Sequence, residues 1–106
     1  MICINDLVKY FFDDCVFITL HAKNKIEERQ IKIRDIKNAV INGEIIEQYP
    51  DDYPYPSCLI CGKTLTGEVM HIVMSDEGHS SRIITAYYPA SEKWTIDFKR
   101  GKKESE

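Results

Sequence analysis

The chain has 106 residues, 43% hydrophobic and 29% charged, which fits one globular domain and leaves no room for a second. Its formal net charge of −3 by itself argues against a nucleic-acid binder. No apolar run reaches the roughly 18 residues of a membrane span, and the opening Met1-Ile2-Cys3-Ile4-Asn5-Asp6 lacks the basic and apolar regions of a signal peptide, so a cytoplasmic protein without membrane contact is expected.

Ile4, Leu7, Val8, Phe11 and Phe12 follow the spacing of an amphipathic helix, started by Asn5 or Asp6 and ended by Asp13-Asp14. Cys15-Val16-Phe17-Ile18-Thr19 reads as a brief strand or an extended lead-in. A helix over His21–Gln30 follows, and it carries two stripes. Ala22 and Ile26 suit a core, whereas His21, Lys25 and Arg29 share a polar face beside it. At about 1.5 Å of rise per residue, His21 and Arg29 stand roughly 12 Å apart along the axis. Ile33, Ile36, Lys37 and Val40 space a further helix, closed by Asn42-Gly43.

From Gly43 the texture is that of strands. Glu44–Tyr49 is the first, and Pro50, Pro54 and Pro56 then enforce a loop because proline cannot donate to a ladder. Ser57–Gly62 and Glu68–Met74 are the next two, joined by a hairpin-like Lys63–Gly67. Ser75–Ser80 is a polar turn, Arg82–Tyr88 a fourth strand, and Trp94–Phe98 a short final element. Lys99–Glu106 reads as a frayed charged tail. Consecutive strands with short links favour an antiparallel meander. The expected architecture is α+β: N-terminal helices packed on a curved four-stranded antiparallel sheet, one domain over residues 1–98, with the tail at 99–106.

His71 lies mid-strand among apolar neighbours. It is either a satisfied core histidine, its pKa lowered by desolvation, or a general acid or base at the mouth of a cleft. On the following strand regular alternation puts Ile83, Thr85 and Tyr87 on one face and Ile84, Ala86 and Tyr88 on the other. Thr85 and Tyr87 near a histidine suit the orientation of a phosphate or a water; a cross-strand packing pair is the plainer reading. Cys58 and Cys61 have the spacing of half a zinc knuckle. In a strand, however, residues three apart point to opposite faces, so no shared metal is expected. Without a secretory signal, Cys3, Cys15, Cys58 and Cys61 are expected as reduced thiols. Tyr49, Tyr53 and Tyr55, interleaved with prolines, form a stiff aromatic loop. Its acidic neighbours Glu47, Asp51 and Asp52 repel a nucleic-acid backbone, so protein contact is the better functional reading there. Residues 21–37 carry a net charge of +3, and the other basic cluster is Lys99-Arg100-Gly101-Lys102-Lys103.

Taken together, several of these segments resemble a bacterial and phage domain-of-unknown-function family. They are Thr19-Leu20-His21-Ala22 with Lys25, Ile26, Arg29 and Ile31, then Asn42-Gly43-Glu44-Ile45-Ile46 with Tyr49-Pro50. Met70-His71-Ile72-Val73, Ile84-Thr85-Ala86-Tyr87 with Pro89, and Trp94 complete the set. That family is similar in turn to the RelE/ParE-type and barnase-like toxin ribonucleases. The resemblance implies metal-independent RNA cleavage within a toxin–antitoxin pair, with RNA as substrate, an antitoxin as partner and no cofactor. His21 and His71 are then the acid–base candidates, Lys25 and Arg29 bind phosphate, and Thr85 and Tyr87 assist. Two positions depart from the family pattern. Lys25 stands where arginine is usual, which removes a bidentate phosphate fork, and Gln30 replaces the usual glycine. Two other readings stand beside this one: a non-enzymatic interaction module, a regulator or immunity-type partner on the same scaffold, and a zinc-dependent structural protein.

Overall fold

A computed structural model describes residues 1–90, 98 and 99 of the chain. In order run α1 (Ile4–Phe12), β1 (Val16–Ile18), α2 (Leu20–Glu28), α3 (Ile33–Ile41), β2 (Glu44–Tyr49), β3 (Ser57–Lys63), β4 (Val69–Ser75) and β5 (Ser81–Tyr87). The strands form one mixed sheet in the order β1-β5-β4-β3-β2. Strands β2 to β5 are the expected antiparallel meander. The fifth strand corrects the expectation of four. Val16 and Ile18 pack against the core, and a segment buried this way must satisfy its backbone polar groups. It does so on the outer edge of β5, where the chain direction makes the pairing parallel. The intervening elements supply the long connection that a parallel pair requires. Trp94–Asp97, most of the expected final element, and residues 100–106 of the tail lie outside the described residues.

Each helix is defined by its ends as much as by its stripe. In α1, Leu7, Tyr10 and Phe11 are buried. Phe12, expected in the core, turns out to solvent instead, its ring 5.3 Å from the Lys37 Nζ. Asp14 adopts a left-handed conformation just after α1. The Cys15 amide then reaches back to the Tyr10 carbonyl and that of Asp14 to Phe11, the two bonds of a Schellman stop. α2 begins one residue earlier than expected because Thr19 caps it, its hydroxyl accepting the Ala22 amide at 3.0 Å. It ends with the same stop as α1. Gln30 takes φ 56°, its amide bonds the Glu27 carbonyl, and that of Ile31 bonds Ile26. Ile31 and Ile26 are both buried, the apolar contact that accompanies this motif. α3 lies directly over β3. A Cβ placed on Gly62 would fall 1.8 Å from the Ala39 carbonyl oxygen, so only glycine admits this approach.

The core joins the three helices to one face of the sheet. Cys58 and Ile60 of β3, Met70, Ile72 and Met74 of β4, and Ile83 and Ala86 of β5 line that face. Two bulges break the alternation. Between Val73↔Thr85 and Met74↔Ile83 the strand β5 carries one extra residue, Ile84. Between Ile45↔Ile60 and Glu47↔Leu59 the strand β2 carries Ile46. The β5 bulge corrects the expected facing: Ile83 points to the helices with Ala86, and only Thr85 and Tyr87 remain with His71 on the second face.

Candidate functional site

The Schellman stop of α2 makes Arg29 the C-cap residue rather than a mid-helix one. From there its side chain runs to β5, whose edge beyond Ile83 is no longer covered by the three-residue β1. The Arg29 Nη1 donates to the Ala86 carbonyl at 2.8 Å and to the Thr85 hydroxyl at 3.4 Å. It therefore closes an open strand edge and brings a cation beside the second face of the sheet. Both bonds use one guanidinium nitrogen out of three, and arginine has five donors in a planar fork.

Tyr87 and His71 are directly paired across β5 and β4. Their rings meet edge to face at 5.4 Å, and the Tyr87 hydroxyl is 3.3 Å from His71 Nδ1. His71 Nε2 lies 2.7 Å from the Phe98 carbonyl oxygen. A carbonyl only accepts, so Nε2 carries the proton and the neutral ring presents Nδ1 as acceptor for the tyrosine O–H. His71 is completely buried. Burial holds its pKa below the usual 6.5, against the opposing pull of the Phe98 carbonyl and the Glu47 carboxylate. The tyrosine is shifted the other way. Burial and Glu47 raise its phenol, and Arg29 pulls it back in part.

Among the sequence candidates, Arg29, Thr85, Tyr87 and His71 thus form one group made of two contacts, Arg29 to Thr85 and Tyr87 to His71, with Thr85 and Tyr87 two residues apart on one face of β5. His21 and Lys25 do not join it. His21 is exposed in the first turn of α2, about two turns along the helix from Arg29. The Lys25 ammonium pairs with Glu28 at 3.5 Å on the helix surface. Glu47, which the sequence reading left out, belongs to the site through its field on both Tyr87 and His71. The Ile46 bulge brings it onto the same face as Leu59, and no periodic pattern reveals a bulge. Cys58 and Cys61 do point to opposite faces, pairing with Met74 and His71 respectively. Burial pushes the Cys58 thiol up to about 12, which makes it unreactive. Among the described residues no group of three or more His, Cys, Asp or Glu side chains is arranged to hold a metal ion, and no helix is long and apolar enough to cross a membrane.

A family profile described as Domain of unknown function (DUF4258) matches residues 18–88, more than half of the chain. The match takes in α2, both bulges and every residue of the Arg29–His71 group. No curated protein matches the sequence, and no solved structure does.

Proposed function

We propose that this chain, which belongs to the DUF4258 family of domains of unknown function, is a metal-independent ribonuclease of the toxin type, restrained by a partner protein. The observation that carries the reading is that the Arg29–Thr85 contact and the Tyr87–His71 pair lie at neighbouring positions of one sheet face, with the Arg29 cation acting on the Tyr87 phenol. In this mechanism Arg29 holds the scissile phosphate and offsets the charge that builds on the phosphorane. The Tyr87 hydroxyl accepts the proton of the attacking 2′-hydroxyl while passing its own to His71 Nδ1, a transfer that leaves no net charge on the phenol. The 2′-oxygen bonds to phosphorus as the bond from phosphorus to the 5′-oxygen breaks, and the leaving 5′-oxygen takes its proton from water. Buried His71 is the residue that positions Tyr87, and it does not meet substrate. His21 and Lys25 serve neighbouring phosphates of the strand.

The test is cleavage of a single-stranded RNA by the purified chain, read on a gel beside growth arrest on expression. Arg29→Ala and Tyr87→Phe are each expected to lower the cleavage rate by about 10²–10³-fold, with Arg29→Lys intermediate because it keeps the charge and loses the fork. His21→Ala is expected to raise KM more than it lowers kcat. Wild-type cleavage by both Arg29→Ala and Tyr87→Phe, or no cleavage and no arrest by the unaltered chain, overturns the proposal. The latter result favours the interaction module.

A further inference from the structure

A cleft of about 400 Å³ opens where the proline-rich loop meets the bulged part of β5. Its walls are Tyr53 and Tyr55 on one side, the Ile84 bulge residue and Thr19 on another, and the carboxylates of Asp52 and Glu77. None of these residues is part of the Arg29–His71 group. Tyr53 is 94% exposed, Tyr55 44% and Ile84 36%, so two aromatic rings and an aliphatic side chain stand in solvent around one opening.

The carboxylates are held in place. Asp52 accepts a hydrogen bond from the Ser57 hydroxyl. Glu77 Oε2 accepts from Arg82 Nε at 2.9 Å and from the Ser75 hydroxyl at 3.1 Å. Arg82, the one cation among the described lining residues, is thereby matched by Glu77. Asp52, with Asp51 beside it in the chain, is left as negative charge at the mouth. A fixed carboxylate retains acceptor positions after one such bond, and tyrosine faces attract cations.

We infer that this cleft is a docking site for a partner protein, taking the guanidinium of an arginine on a basic segment between the tyrosine rings and onto Asp52. Charge decides the occupant. An RNA strand would bring phosphates against Asp51 and Asp52, whereas a basic peptide is attracted by them. Arginine suits the opening better than lysine because its flat cation stacks on aromatic faces and binds carboxylate in a fork. Phe17, 56% exposed on β1 and paired with Arg82, adds apolar contact surface beside the cleft. The inference stands whether or not the chain cleaves RNA.

The experiment is a titration of the full chain, followed by amide chemical shifts, with N-acetyl-Ala-Arg-Ala-amide and with the same peptide carrying citrulline. The arginine peptide is expected to give saturable shifts at Thr19, Tyr53, Tyr55 and Ile84. The citrulline peptide is expected to bind about tenfold more weakly, the size of one desolvated cation–aromatic contact. Asp52→Asn, which still accepts from Ser57, and the exposed Tyr53→Ala are each expected to weaken the arginine peptide several-fold without altering the melting temperature. Equal affinity for the two peptides, no saturable shifts, or shifts at these residues produced instead by hexauridylate overturns the proposal.

Discussion

Gln30 is a single-residue compromise. It occupies the left-handed position of the stop that ends α2, at φ 56°, a conformation that costs a residue with a Cβ about 1–2 kcal/mol. The resemblance noted in the sequence leads to an expectation of glycine here, the residue for which this conformation carries no Cβ cost. Gln30→Gly is expected to stabilise the fold by about 0.5–1 kcal/mol, the relief of strain less the extra freedom of glycine in the unfolded chain; urea denaturation measures it. His71 gives a pH dependence. Its folded pKa lies below the ordinary 6.5, so the neutral ring is the form the fold favours. Its contribution is complete above about pH 6.5 and is lost as pH falls through the lower folded value. The midpoint of urea unfolding should therefore drop as pH falls below about 6.5, and His71→Gln should flatten that part of the profile. An unchanged slope would place the acid sensitivity elsewhere. That His71 is a buried histidine with a lowered pKa was legible from its apolar neighbours. Its partner Phe98 was not, because a tertiary contact 27 residues away leaves no local pattern.

At the level of elements, the helix ends and the sheet contacts do different work. Thr19 supplies the acceptor at the start of α2, and Thr19→Ala is expected to cost about 1 kcal/mol, with faster hydrogen exchange at the Ala22 amide as the local sign. Gly62 sets the distance between α3 and β3. Gly62→Ala drives a methyl into the backbone of Ala39, and neither element can move without disturbing the buried Ile36, Val40, Cys58 and Ile60. It is expected to cost about 3 kcal/mol or more, read as a lowered melting temperature; a loss below about 1 kcal/mol would mean that the helix slides easily on the sheet. The helices and the four long strands were legible because their periods are 3.6 and 2 over several residues. Strand β1 spans only three residues and pairs with a strand more than 60 positions away, so its place was not. The bulges were hidden for a similar reason. Ile46 and Ile84 are ordinary strand residues, and only the partner strand shows that each is one too many.

Over the whole molecule the charge is uneven. Residues 21–37 hold a net +3 within a chain of −3, and Arg29 links that positive segment to the sheet. Negative charge gathers within the aromatic loop, at Asp51 and Asp52. Under the ribonuclease reading, RNA association should weaken with salt, with a slope near −0.7 for each phosphate neutralised on a single strand. Fluorescence anisotropy at several salt concentrations measures it, and Lys25→Ala should reduce the slope by about one phosphate. A slope of zero would separate the positive segment from RNA binding. The tally of charge was available from the sequence. The contact that makes Arg29 differ from His21 and Lys25 was not, since it depends on where β1 stops.

The bulge in β5 carries a consequence for insertion and deletion. With Ile84 removed, Arg82 and Ile83 would be followed directly by Thr85, Ala86 and Tyr87, and plain alternation would give every one of them the facing it has now. The residue is thus supernumerary to the core. A one-codon deletion at this point would leave the hydrophobic pattern intact while taking away one wall of the arginine cleft. In a deletion scan of β5, position 84 is where folding and function should come apart.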